Sequence, residues 1–398
     1  MLYTDCMLKG LFRKKVKGLT AVFDIKQGSI GGAFVLFRAG EKPLVRYAHR
    51  ISYRTQGASS PENDSAHLIK TLRLLAERLC THGLPKILKE DPGCRGVDRV
   101  VAFLGVPWVG TKMLDYPVLS EKPIFVTDKW LKTSLEKALA STDRKDSVIL
   151  EQSVLRAHLN GYRTNDPHNK SAKRVDLSLF EAWVPASLAK LVQEALESSF
   201  HISEISLRSS LLASFTAVRD HFESEDNFLL ITIGSEVTEI AVIRDDALIV
   251  TDVLSRGSHT LIEAAATRLG TVPEEVPSRL RLQMEPVSAE DPKQKSDLAV
   301  LELEWQQAFD AVLTKLRTIH GLPRTVFLSA SHSTRPWFAK LLGSPGMSAH
   351  TLTREPFRVI ELDGQELLQH YHIHAEVTPD SPLSLETLFL HKLSREGR

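Results

Sequence analysis

Two short stretches, about 208 residues apart, carry the residue types that hold phosphate. The first reads Phe23-Asp24-Ile25-Lys26-Gln27-Gly28-Ser29-Ile30-Gly31-Gly32 and the second Thr232-Ile233-Gly234-Ser235-Glu236-Val237-Thr238-Glu239. Each sets an apolar run before a small-residue turn and another apolar run after it. Such a turn leaves backbone N–H groups free to point at phosphate oxygens. A carboxylate at the end of the first run, Asp24, has the chemistry to hold a magnesium ion through water. Glu239 puts a second carboxylate into the other unit. A Gly-rich hairpin alone is usually only a turn, so the pairing of the two units carries the interest.

Turns of this kind need strands on both sides. Leu19–Ile25 and Gly31–Arg38 read as a hairpin, and Pro43–Thr55 as a third strand. Ser65–Cys80 is an amphipathic helix with Leu68, Ile69, Leu72, Leu75, Ala76 and Leu79 on one face. Asp98–Val106 returns as a buried strand. Between residues 111 and 206 the rhythm becomes that of an α+β module, with helices over Asp128–Ala140 and Ala186–Phe200. A polar segment, Thr164–Lys173, reads as the turn of its long hairpin. Phe228–Ile233, Val237–Arg244 and Ala247–Val253 then repeat the opening strands, followed by helices at Ser258–Leu269 and Asp297–His320. The expected division is a basic leader (1–17), a first lobe (18–110 with 207–224), an insertion (111–206) and a second lobe (225–398). The second lobe has a reduced sublobe near 271–296.

This order of hairpin, insertion, second hairpin, long helix and late strand–turn–helix is similar to that of the bacterial actin-like ATPase superfamily. The likeness is to its FtsA (cell division) and PilM (type IV pilus) type. Leu159-Asn160-Gly161-Tyr162 and the strand ending at Val184-Pro185 resemble the SHS2 module of both. The leader running into Asp24-Ile25 looks PilM-like. The resemblance implies an α/β, actin-like (ribonuclease H-like) two-lobed fold with an inserted α+β SHS2 module. It implies ATP and magnesium as cofactors, with nucleotide contacts at Asp24, Lys26, Gln27, Gly28, Ser29, Gly234, Ser235, Ser329, Ala330 and Ser331.

Several family positions are changed. Lys26 stands where the family has Gly, Thr232 where it has Asp, and Leu328-Ser329-Ala330-Ser331 replaces a strand running into Gly-Gly. A Cβ at Ala330 and Ser331 limits backbone approach to a nucleoside. Glu236 sets a negative charge where a triphosphate would lie. The expectation is therefore a scaffold or adaptor with weak or no ATP hydrolysis, Asp24 and Glu239 being the catalytic candidates. A division role ranks first. A pilus-assembly role and an active ATPase or kinase are the alternatives. The implied partners are a tubulin-like division protein or an inner-membrane pilus component, with self-association also open.

Composition narrows the rest. A formal net charge of +1 gives no electrostatic basis for coating nucleic acid. The 42% hydrophobic and 25% charged fractions exclude a largely disordered chain. Three scattered cysteines, Cys6, Cys80 and Cys94, form no bridge framework or C-x-x-C site, which fits a reducing cytoplasm. Leu8, Lys9, Leu11, Phe12, Arg13, Lys14 and Lys15 suit either a short helix on an anionic inner-membrane surface or a solvated leader. His370, His372 and His374 alternate and would share a strand face, but no fourth zinc ligand is evident. A solvent-facing strand edge is the expectation there, with no metal.

Overall fold

Apolar runs too long to be half-solvated dictate the centres of two sheets. Gly18–Lys26 (β1) is buried along almost its whole length, and it pairs antiparallel with β2 (Ser29–Phe37), which pairs with β3 (Leu44–Ser52). Helices α1 (Pro61–Arg78) and α2 (Leu84–Glu90) follow, joined by a π-helical turn at Leu79–Gly83. Strand β4 (Val97–Leu104) then lies parallel to β1. The computed structural model describes residues 18–54, 61–140, 142, 144–164, 166–282, 292–362 and 367–396. The leader therefore lies outside the described residues.

The insertion comprises β5 (Gly110–Phe125), α3 (Asp128–Leu139), β6 (Ser147–Leu159), β7 (Tyr162–Thr164) and β8 (Ser171–Pro185). Its strands form an antiparallel sheet in the order β5-β8-β6-β7. Helix α4 (Ala186–Phe200) and β9 (Ile205–Ser209) return to the first sheet, and α5 (Ser210–His221) leads to the second half. That half contains β10 (Phe228–Ile233), β11 (Thr238–Arg244), β12 (Ala247–Leu254), α6 (Ser258–Leu269), α7 (Val276–Leu282) and α8 (Pro292–His320). It continues with β13 (Thr325–Ser329), α9 (Arg335–Leu342), β14 (Arg358–Glu361), β15 (His372–Ile373) and α10 (Ser381–Glu396).

The two large sheets repeat one plan. Strand order β3-β2-β1-β4-β9 in the first matches β12-β11-β10-β13-β14 in the second. In each, three antiparallel strands precede two parallel ones. Alternation along β10 separates two cores: Phe228 and Leu230 face the first lobe's core, while Leu229 and Ile231 join Trp305, Phe309 and Phe338. The insertion has its own core, in which Leu131 and Leu135 of α3 meet Val175, Leu177 and Leu179 of β8.

Two expectations shift. Helix Ala186–Phe200 belongs to the first lobe, because Leu188, Val192 and Leu196 pack into that core, so the inserted sheet ends at Pro185. The chain end also leaves the second lobe: β15 pairs with β3, and α10 packs on α5, β1 and β2. Its apolar stripe of Leu385, Leu388 and Phe389 finds the first sheet's open face. Within the insertion, β6 and β8 form the long hairpin and the polar segment lies in their connection as expected, preceded by an Asn160-Gly161 turn at positive φ (52° and 84°) that leads into β7. The polar segment after it follows the short strand β7. Among the described residues no helix is long and apolar enough to cross a membrane.

Phe389 is 1% exposed and meets the Phe103 ring edge-on at 6.0 Å. Phe389→Ala is expected to destabilise the chain by about 3 kcal/mol. A urea unfolding curve with an unchanged midpoint would show that α10 is not part of the core.

Candidate functional site

Asp24, Gly31 and Arg50 occupy one row across β1, β2 and β3. Residues opposite one another in antiparallel strands share a face. The middle position carries no side chain, and a Cβ at Gly31 would lie 2.5 Å from Arg50 Nη2. This gap lets the Arg50 guanidinium cross β2 and donate to Asp24 Oδ2 at 2.7 Å. The same guanidinium donates to Asp380, from Nε to Oδ2 at 2.6 Å and from Nη2 to Oδ1 at 2.9 Å. It also donates to Ser29 Oγ at 3.3 Å. Asp380 caps α10, its Oδ1 accepting the Leu383 N–H at 3.2 Å.

Lys26 completes the cluster, with Nζ 3.2 Å from Asp24 Oδ1. Burial opposes the charge on Asp24, but Lys26 and Arg50 outweigh it and hold its pKa below the usual carboxylate value. Glu386, fully buried on α10, behaves oppositely. Burial and then the Asp24 charge push its pKa well up. Ser210 Oγ donates to its Oε1 at 3.2 Å. Glu239, opposite Thr232 on β11, is pushed up to about 7 by burial, with Lys26 pulling the other way.

The second turn is closed by Gly234 N–H donating to Val237 O at 2.8 Å. Its carbonyls accept the first amides of α6: Ser258 N to Gly234 O and His259 N to Ser235 O, both 2.9 Å. Those are helix N-terminal donors that would otherwise be free for an anion. Glu236 Oε1 pairs with His259 Nδ1 at 3.0 Å. The two turns also touch. Gly28, at φ +81°, lies so close that a Cβ there would be 2.8 Å from both Ser235 Cβ and Glu236 Cγ.

Between the lobes lies a cleft of about 330 Å³. It brings together Asp24, Lys26, Ser29, Gly234, Ser235, Ala330 and Ser331 from the sequence expectation. It leaves out four others. Gln27 turns aside to Asp64 (Nε2 to Oδ2, 3.5 Å), and Gly28 forms the turn contact. Ser329 is fully buried, and Glu239 is 7% exposed beside Lys26 and off the cleft wall. Sequence reasoning missed Arg50, Asp380, Glu386, His259 and Arg335. One local signal existed: a Gly pair inside an apolar strand marks close approach of another group. Asp380 before Ser381-Pro382 also has the form of a helix cap.

The magnesium and ATP implied by the sequence resemblance do not fit these residues. Both oxygens of Asp24 are engaged by the chain's own cations, the α6 amides are used by the second turn, and the phosphate turns abut. The histidine row does not form either. His370 meets His221 edge-on with ring centroids 4.1 Å apart, His372 is exposed, and His374 Nε2 lies 3.6 Å from Glu90. Strand β15 is only two residues long, so the three side chains do not share a face. Among the described residues no group of three or more His, Cys, Asp or Glu could hold a metal ion.

A solved structure of the PilM–PilN type IV pilus biogenesis complex is similar over 96% of this chain and 99% of its own, with a TM-score of 0.60 and 15% identity. The ethanolamine utilization protein EutJ from Carboxydothermus hydrogenoformans is similar over 94% and 89%, at TM-score 0.42 and 11% identity. A Bacteroides thetaiotaomicron protein of unknown function with an actin-like ATPase fold gives 94% and 96%, TM-score 0.39 and 7% identity. No family model and no curated protein matches the sequence. Likenesses at these identities concern the fold, and the fold is actin-like.

Glu239 gives a signed pH prediction. Its unfolded pKa is 4.5 and its folded one about 7, so the folded state holds the extra proton between them. Stability from this residue therefore falls as pH rises through that window. Glu239→Gln is expected to stabilise the protein by up to about 3 kcal/mol at pH 8 and by little at pH 4.5. Urea unfolding at both pH values checks this, and an equal effect at both would contradict it.

Proposed function

We propose that this chain is an actin-like scaffold of the PilM kind, serving type IV pilus assembly at the inner membrane. The observation that supports this reading is the full-length likeness to the PilM–PilN complex. The likeness spans 96% of this chain, which supports a counterpart for the Gly110–Pro185 insertion in that complex. This likeness moves the pilus role ahead of the division role, which the sequence alone ranked first. The cleft supports a scaffold rather than a hydrolase: its best-placed carboxylate, Asp24, is already neutralised by Arg50 and Lys26. The proposed partner is a short cytoplasmic segment of a PilN-like inner-membrane pilus component, held by the lobes and the inserted module. The basic leader is proposed as an auxiliary contact with anionic lipid.

Calorimetric titration of the full chain with the cytoplasmic segment of the PilN-like protein of its own host is expected to give saturable binding. Deleting the gene is expected to abolish pili while cells divide normally. No binding, together with filamentous cells that keep their pili, would overturn the pilus reading.

A further inference from the structure

The cleft contains its own cation. Arg50 reaches Asp24 only because Gly31 leaves the row open, and it simultaneously holds Asp380 at the start of the last helix. One guanidinium thus joins β1, β2, β3 and the start of α10 on the cleft-facing side of the first lobe. The local charges balance. Asp24 and Asp380 face Arg50 and Lys26, while burial raises the pKa of both Glu386 and Glu239. Breaking such a buried set by removing one member leaves an uncompensated charge.

The contacts between lobes match a joint that is already closed. Gly28 rests against Ser235 and Glu236, and Arg54 pairs with Glu263 at 3.5 Å. The inserted module adds a strap. Arg156 donates to Arg244 O at 3.1 Å, and Arg163 pairs with Asp246, both on the β11–β12 turn.

We propose that Arg50 is a tethered counter-cation seated at Asp24, which lets the two lobes close on each other without nucleotide or metal. This deepens the scaffold reading and rests on it: the form that meets a partner is held by the chain itself. The Asp24–Asp380–Ser29 seat is shaped for a guanidinium, with four N–H donors placed on three side chains.

The test follows the melting temperature of the full-length protein. For the wild type, millimolar Mg-ATP is expected to shift it by less than about 1 °C, whereas a micromolar site would raise it by several degrees. Arg50→Ala is expected to melt lower and to recover in low millimolar guanidinium or Mn²⁺, either of which can refill the vacated seat, but not in sodium. A merely structural arginine would give the loss without the recovery. Gly31→Ala, which keeps Arg50 but blocks its path, is expected to reproduce the loss and stands in if Arg50→Ala does not fold. A rise of several degrees for the wild type in Mg-ATP would overturn the proposal. So would a variant that melts like the wild type, or an Arg50→Ala loss that neither guanidinium nor Mn²⁺ repairs. Failure of the PilN-like segment to bind, with guanidinium rescue intact, would remove the pilus reading and leave the tethered cation standing.

Discussion

The Arg50–Asp24 pair, made through the gap at Gly31, sets the character of the cleft. A carboxylate with no solvent exposure needs a partner of opposite charge, because desolvation alone would force it to take up a proton. In a nucleotide-dependent cleft that compensation comes from outside with a metal. Here β3 supplies it, from across β2. The consequences spread from this point. Asp380 is drawn to the same guanidinium, which fixes where α10 begins, and α10 then lays Leu385, Leu388 and Phe389 over the first sheet.

Because β15 and α10 belong to the first sheet while β14 belongs to the second, the chain crosses between lobes twice, at α5 and between β14 and β15. The crossing elements are tied to each other by Lys392, whose Nζ lies 2.5 Å from Asp220 Oδ2. Polar contacts from the insertion to the β11–β12 turn add a further link. A fold built for opening and closing around a ligand is in this chain braced at several positions around the cleft.

The architecture was legible in the sequence to the extent that its determinants are local. Small-residue turns between apolar runs marked both hairpins, and α/β alternation gave the two-lobed plan. What escaped depended on register. Arg50 is one of several charged residues on β3, and nothing adjacent to it in sequence distinguishes it. Its role appears only when β1, β2 and β3 align Asp24, Gly31 and Arg50 in a row. Glu386 likewise looks like an exposed helix position until α10 is placed against α5 and the first sheet. The histidine alternation failed for the converse reason: the pattern is plain in the chain, but His370 lies in a turn, its N–H donating to Leu367 O, before the short strand at His372–Ile373 begins. The domain limits shifted because a helix's apolar stripe names no partner. Both α4 and α10 chose the first core.

The proposed scaffold has a cleft whose carboxylate is neutralised by the chain's own cations, and partner binding in the presence of nucleotide tests this most directly. Titration of the full-length protein with the PilN-like segment, with and without millimolar Mg-ATP, should give the same affinity within about twofold, since a ligand that favours neither state shifts neither. A change of tenfold or more, in either direction, would show a nucleotide-governed cleft and contradict the account.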